Sequence, residues 1–228
     1  MIEWLLPHAC LFCSQQTQTG LDLCDPCVND LPRIENPCLR CARMLSDSGL
    51  VCGYCLTKTP PFDCTHALFS YRPPITKLIM QLKFNHALAN ARVLGELMAE
   101  KIQHDWYAQK PLPDIIIPVP LHNKRLRERG FNQAVEIARP IAKKLQIPLE
   151  IKHCFRMKHT EAQATLLAND RLKNIRGAFF THMDFSNKTI AVVDDVITTG
   201  QTMAEFCKTL KKAGAKRIDV WCCARAIF

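Results

Sequence analysis

The sequence has no apolar run of 18 residues, so nothing in it reads as a membrane-spanning helix. It also lacks a secretory leader: Met1 to Leu6 contains Glu3, stops at Pro7 and has no basic flank. Both absences point to a cytoplasmic protein. The first 60 residues lack any cationic excess, with 4 Lys/Arg against 6 Asp/Glu. Residues 61–228 carry 26 against 15, so the net charge of +9 comes wholly from the second part. That asymmetry suggests a polyanionic partner there, pyrophosphate or nucleic acid. Cysteine is plentiful, with 13 in 228 residues. In a chain without a leader, such a surplus points to metal rather than disulfides.

Eight of the cysteines form a pattern. Cys10-x-x-Cys13, Cys24-x-x-Cys27, Cys38-x-x-Cys41 and Cys52-x-x-Cys55 recur 14 residues apart. One such turn brings two thiolates to an ion, and two turns complete a tetrahedral four-thiolate site. Two zinc sites follow. Gly20-Leu21-Asp22-Leu23 leads into Cys24, and Gly49-Leu50-Val51 leads into Cys52, so the repeating unit is a pair of turns. This assigns Cys10, Cys13, Cys24 and Cys27 to one zinc, and Cys38, Cys41, Cys52 and Cys55 to the other. A cross-braced pairing is the alternative. Closed all-thiolate sites are structural rather than catalytic. His8 is read as a bystander. Among Cys64, Cys154, Cys207, Cys222 and Cys223 only the adjacent Cys222 and Cys223 are close enough for metal, and alternating strand faces point them apart, so all five are expected to be core or inert. Thr59-Pro60-Pro61-Phe62 marks the boundary between a zinc-binding domain over 1–60 and a second domain over 61–228.

The second domain is organised around Lys188 to Thr202. Ile190 to Val193 reads as a short buried strand of a parallel sheet. Asp194 and Asp195 end it. Gln201 to Ala213 has helical periodicity, with Met203, Phe206, Leu210 and Ala213 on one face. The acidic pair and Thr198-Thr199-Gly200 therefore lie in a strand-to-helix loop, where open α/β sheets bind ligands. Gly200 allows close backbone approach, and Thr198, Thr199 and Thr202 offer hydroxyls. With Gln201 opening the helix, the loop suits a phosphate monoester. The two carboxylates suit sugar hydroxyls or hydrated Mg2+. The stretch resembles the phosphoribosyltransferase signature that binds phosphoribosyl pyrophosphate (PRPP). That resemblance implies that the acidic pair holds the ribose hydroxyls and that the Thr-Thr-Gly loop holds the 5-phosphate.

The rest of the domain fits an α/β fold. His66 to Tyr71, Asp114 to Val119 and Lys216 to Ala226 read as strands. Helices are expected from Pro73-Pro74 through Leu82, from about Ala87 to His104, and from Asn132 to about Leu145 with a kink at Pro140. Lys77, Lys83 and Arg92, with Phe84 or Tyr71, form one possible face for a nucleic-acid strand. Just past the second strand, Lys124, Arg125, Arg127 and Arg129 make a cation cluster that could neutralise pyrophosphate. Residues 156–176, with Arg156, Lys158, His159, Arg171, Lys173 and Arg176, have no period and suit a mobile lid over the pyrophosphate.

Pro118-Val119-Pro120-Leu121-His122, followed by Arg129-Gly130-Phe131-Asn132-Gln133-Ala134, resembles the ComF family of competence proteins. Arg156, Thr160, Gln163, Leu166, Arg171, Asn174 and Phe179 fit a second pattern of that family, and the Asp-Asp loop fits a third. The resemblance spans essentially the whole chain. It implies a double zinc ribbon followed by a phosphoribosyltransferase-like, Rossmann-type and mostly parallel sheet. It also implies a part in handling incoming single-stranded DNA during natural transformation, with uptake machinery at the inner membrane as a partner. One departure stands out. The sequence ends at Phe228, directly after the last strand, so no C-terminal hood for an acceptor base is expected, and no base-recognising set shows elsewhere. The reading is thus a DNA-handling protein with a PRPP pocket. The alternative is an active transferase in which Mg2+ and Arg125, Arg127 and Arg129 stabilise departing pyrophosphate while Asp194 and Asp195 anchor the ribose.

Overall fold

The computed structural model describes residues 9–17, 20–46, 49–158 and 175–226. His8, most of the expected lid, and Thr160, Gln163, Leu166, Arg171 and Asn174 lie outside the described residues. The body is a parallel sheet of four strands: β1 (Cys64–Ser70), β2 (Ile115–Pro118), β5 (Thr189–Ile197) and β6 (Arg217–Arg225). Their spatial order is β1-β6-β5-β2. A separate antiparallel pair joins β3 (Cys154–Arg156) to β4 (Phe179–Thr181). The expected mostly parallel α/β architecture is therefore present.

Helices cover both faces of the sheet. On one face lie α3 (Ile75–Asn85), α4 (Leu88–Lys101) and α6 (Gln133–Leu145); a π-helical turn continues α4 over Ile102–Trp106. The other face is covered by α7 (Gln201–Lys212). The alternation of strand side chains explains the unbroken apolar run of β5. Ala191 and Val193 join the α3/α4/α6 core, while Ile190 and Val192 join the α7 core. Cys222 and Cys223 split in the same way. Helix α6 runs on through Pro140, whose ring sits against α4 at Gly95. A Cβ at Gly95 would fall 2.4 Å from Pro140 Cγ, so only glycine fits this helix contact.

The two short helices α1 (Asp25–Asn29) and α2 (Gly53–Thr57) belong to the cysteine-rich ribbon. That ribbon packs tightly on the body. Strand β1 lies at the sheet edge, and an uncovered edge invites unwanted pairing. Here Ser70 N–H donates to the Pro32 carbonyl at 2.8 Å and Thr65 N–H to the Leu39 carbonyl at 3.3 Å. The Arg33 guanidinium lies 4.8 Å from the Phe69 ring centre. Cys10, Leu23 and Leu31 are buried in the same core as α3 and α4. Among the described residues, no helix is long and apolar enough to cross a membrane.

Candidate functional site

The acidic pair sits inside a strand rather than after one. Sequence reasoning ended the strand at Val193, but β5 continues to Ile197. The reason is pairing: Asp194 lies opposite Cys222 and Val196 opposite Ala224 in β6. Backbone N–H groups support both carboxylates. Asp195 N–H donates to Asp194 Oδ1 and Val196 N–H to Asp195 Oδ1, each at 2.9 Å. Asp195 is 6% exposed, and its Oδ2 lies 2.5 Å from Lys83 Nζ at the end of α3. Burial, reinforced by the charge of Asp195, raises the Asp194 pKa well above the usual carboxylate range. Burial acts against the Lys83 ammonium too, but Asp195 and then Asp194 outweigh it, and its pKa rises. The cluster is thus a low-dielectric acid pair with its own counterion.

Two arginines, Arg129 and Arg156, act on this pair, and Arg125 acts on both of them. Arg125 and Arg129 lie four residues apart on α5 (Asn123–Arg129), hence on one face. Burial lowers the Arg129 pKa, Asp195 opposes that shift and Arg125 adds to it. Burial lowers that of Arg156 on β3, with Asp194 opposing and Arg125 adding. Arg125 is close enough to act on both of these cations, each of which feels one of the carboxylates. Arg127, two residues along the helix, is turned away from this face and is exposed. Phe84, 62% exposed, lies beneath Arg129, whose guanidinium carbon is 5.7 Å from the ring centre.

Beyond β5 the chain turns through Thr198 and Thr199, both exposed, to Gly200. Gly200 has φ of +81° and starts α7 without a side-chain cap. Gly200 offers no side-chain cap to the first N–H groups of α7, although Gln201 N–H reaches Thr199 Oγ1 at 3.5 Å. Sequence reasoning missed what holds this loop. Arg225, 2% exposed at the end of β6, donates Nη1–H to the carbonyls of Ile197 at 2.9 Å, of Thr198, and of Ala226 at 3.2 Å. Its Nε–H donates to the Cys41 carbonyl at 2.9 Å. One guanidinium thus joins the loop to a cysteine turn of the ribbon. Replacing Arg225 by Lys strips carbonyls that are buried with it, so a loss of about 3 kcal/mol of stability is expected. Chemical denaturation checks it, and an unchanged midpoint would remove Arg225 from the loop's support.

The suggested nucleic-acid face of Lys77, Lys83 and Arg92 is not an open stripe. Lys83 is turned into the acidic cleft. Arg92 pairs with Asp22 of the ribbon at 2.7 Å and with Glu96 at 3.7 Å. No sequence pattern marks the contacts to Asp195 and Asp22, which lie 112 and 70 residues away; only Glu96, four residues along the helix, is local.

The ribbon cysteines gather in two sets, Cys10, Cys13, Cys24, Cys27 and Cys38, Cys41, Cys52, Cys55, with ligand atoms in each set within 4.8 Å of one another. These are the sequential sets. Burial opposes ionisation of Cys38, but the N–H groups of Cys52, Cys41 and Arg40 bring its pKa down to about 7. The Cys52 N–H lies 3.3 Å from its sulfur. A four-thiolate set with N–H donors at the sulfurs fits structural zinc. Of the five other cysteines, four are buried; Cys64 is only half-buried and donates to Asp219.

Known proteins resemble the chain throughout. A double zinc ribbon domain matches residues 1–56, and a phosphoribosyl transferase domain matches residues 131–226. DNA utilization protein YhgH of Escherichia coli strain K12 is 32% identical over 97% of this chain and 99% of its own. Competence protein F of Haemophilus influenzae is 35% identical over 90% of each chain. Competence protein ComFC of Streptococcus pneumoniae is 24% identical over 95% of this chain and 99% of its own. With two cysteine sets, a parallel sheet and an acidic strand end leading into a Thr-Thr-Gly loop, the chain belongs to the ComF family, a double zinc ribbon joined to a phosphoribosyltransferase domain.

Proposed function

We propose that this chain serves DNA uptake or use in the manner its relatives' names indicate, and that its cleft binds a ribose 5-phosphate ligand of the PRPP type. One observation carries the pocket. An acidic pair at a strand end runs into a Thr-Thr-Gly turn of positive φ that opens α7, with Arg125, Arg129 and Arg156 nearby. Asp194 and Asp195 would take the ribose hydroxyls, directly or through Mg2+, and Thr198, Thr199, Gly200, Gln201 and Thr202 the 5-phosphate. Arg125, Arg129 and Arg156 would meet the pyrophosphate. Mg2+ would supply positive charge at the pair, the part Lys83 plays in its absence. The same chain would handle single-stranded DNA through its cationic second part, in the cytoplasm.

PRPP with Mg2+ is expected to raise the melting temperature by mass action. Asp194→Ala combined with Asp195→Ala should abolish the shift. A double variant that keeps the shift would place the ligand elsewhere, and no shift in the unaltered chain would dismiss the pocket. The arginine cluster also favours a second reading, an active transferase, because it can stabilise a departing pyrophosphate. Acceptor-dependent release of pyrophosphate separates that reading from binding alone.

A further inference from the structure

A groove of about 1110 Å3 lies between the second half of the ribbon and the body. Its ribbon wall includes Cys41 and Tyr54, and Lys58 lies in the segment that leaves the ribbon. The opposite wall is β4 and α7, and the groove reaches the phosphate loop at Thr199 and Gly200. It is larger than most small-molecule pockets, which run to about 1,000 Å3.

Its chemistry is one-sided. Lys58, Arg176, Lys208 and Lys212 line it and are exposed. The single carboxylate among the described lining residues, Glu205, is engaged already: it accepts from Gly177 N–H at 2.7 Å and lies 3.7 Å from Lys208. Two aromatic rings also stand open, Tyr54 at 55% and Phe180 at 44% exposure. Cations that track a backbone, with exposed rings between them, are what an unpaired strand needs: phosphates meet the charges and bases stack on the rings. Duplex DNA has no free base faces to offer those rings. We propose that this groove, outside the acidic cleft, is the path of single-stranded DNA across the molecule. This rests on the DNA-handling reading above and gives it a place. The phosphate loop then forms a shared wall, with the ribose-phosphate pocket at the end of β5 and the strand along α7.

The test uses the full chain and a labelled oligothymidylate of about 20 nucleotides, at two salt concentrations. Neutralising Lys58→Gln with Lys212→Gln removes two phosphate contacts. Affinity at low salt should fall about tenfold, and the salt slope should flatten by about 1.4. Tyr54→Ala should weaken binding at least about fivefold at either salt, since a stacked base does not release counterions. The control, Lys143→Gln with Lys144→Gln, removes the same charge from α6, on the other face of the sheet, and should change affinity less than twofold. Retained zinc content and a retained PRPP shift would show that the variants are folded. Equal losses in the two lysine pairs, or none in the groove pair, would overturn the groove and leave DNA handling standing. So would duplex DNA binding as tightly as the single strand. No binding by the unaltered chain at low salt would dismiss direct DNA handling altogether.

Discussion

Cys24→Ser protein is expected to hold one zinc per chain where the unaltered protein holds two, and to lose the fold of the ribbon's first half. The magnitude is large because the metal supplies folding free energy directly, about 10–16 kcal/mol for a structural site. It should also spread. Leu23, next to the altered ligand, is fully buried in the core shared with α3 and α4, and Asp22 holds Arg92 of α4. Metal analysis of reduced protein, with limited proteolysis, reads both effects. Two zincs in the variant would mean a different ligand set, and none in the parent would dismiss the metal.

Asp219→Asn should lower the melting temperature by about 10 °C, corresponding to roughly 3–5 kcal/mol for one partner lost from a buried charged network. Asp219 is 1% exposed at the start of β6, the end of the sheet away from the phosphate loop. Its carboxylate accepts from Tyr107 Oη at 2.5 Å, Arg217 Nε at 2.9 Å and Cys64 Sγ at 3.0 Å. Trp221 Nε1 donates to Tyr107 Oη in turn, at 3.3 Å. Burial opposes ionisation of Asp219, but the three donors outweigh it and depress its pKa. His66 lies beside the network, stacked on Trp106 with ring centres 4.8 Å apart. Burial, and then Lys110, push His66 down from 6.5 to about 4. Burial, and then Asp219, push Cys64 up from 9.0 to about 12.

The signs follow by linkage. Stability from keeping His66 neutral is complete above 6.5 and lost as pH falls towards about 4. The share from Asp219 goes at lower pH still, as it titrates through its depressed value. Stability from the Cys64 thiol is complete below 9.0 and lost as pH rises towards about 12. This network is therefore expected to contribute its full stability between roughly 6.5 and 9, read as the gap in melting temperature between the parent and Asp219→Asn. Asp219→Asn should melt lower across the whole range. A variant within about 2 °C of the parent would make the network incidental.

Much of this was legible in the sequence because it is local. The Cys-x-x-Cys turns, the apolar run of β5 and the face of α7 each lie within one turn or one element, where period and spacing speak directly. The turn at Gly200 could be read because a glycine just before a helical period marks a change of direction, and Gly200 does take a positive φ there. What stayed hidden is contact over long separations. Lys83 reads as a solvated helix cation until α3 is seen ending at Asp195. Arg225 reads as a strand residue until four carbonyls are found around it. Arg125 and Arg129 separate from Arg127 only once the segment is known to be helical. Strand and loop also blurred at Asp194 and Asp195, because polarity signals an end whereas β6 goes on supplying pairing partners.

The Arg225 guanidinium ties the second cysteine set to the loop at Thr198 and Thr199, so a metal held by one and an anion held by the other are expected to be coupled. Cys41 is a thiolate donor in one, while its carbonyl shares a cation with Ile197 and Thr198 of the other. Coupling of this kind is reciprocal. If stripping the metal loosens the loop and weakens its hold on an anion, then an anion seated in the loop must tighten the hold on the metal by the same free energy. Zinc supply and ligand supply would then act on this molecule jointly.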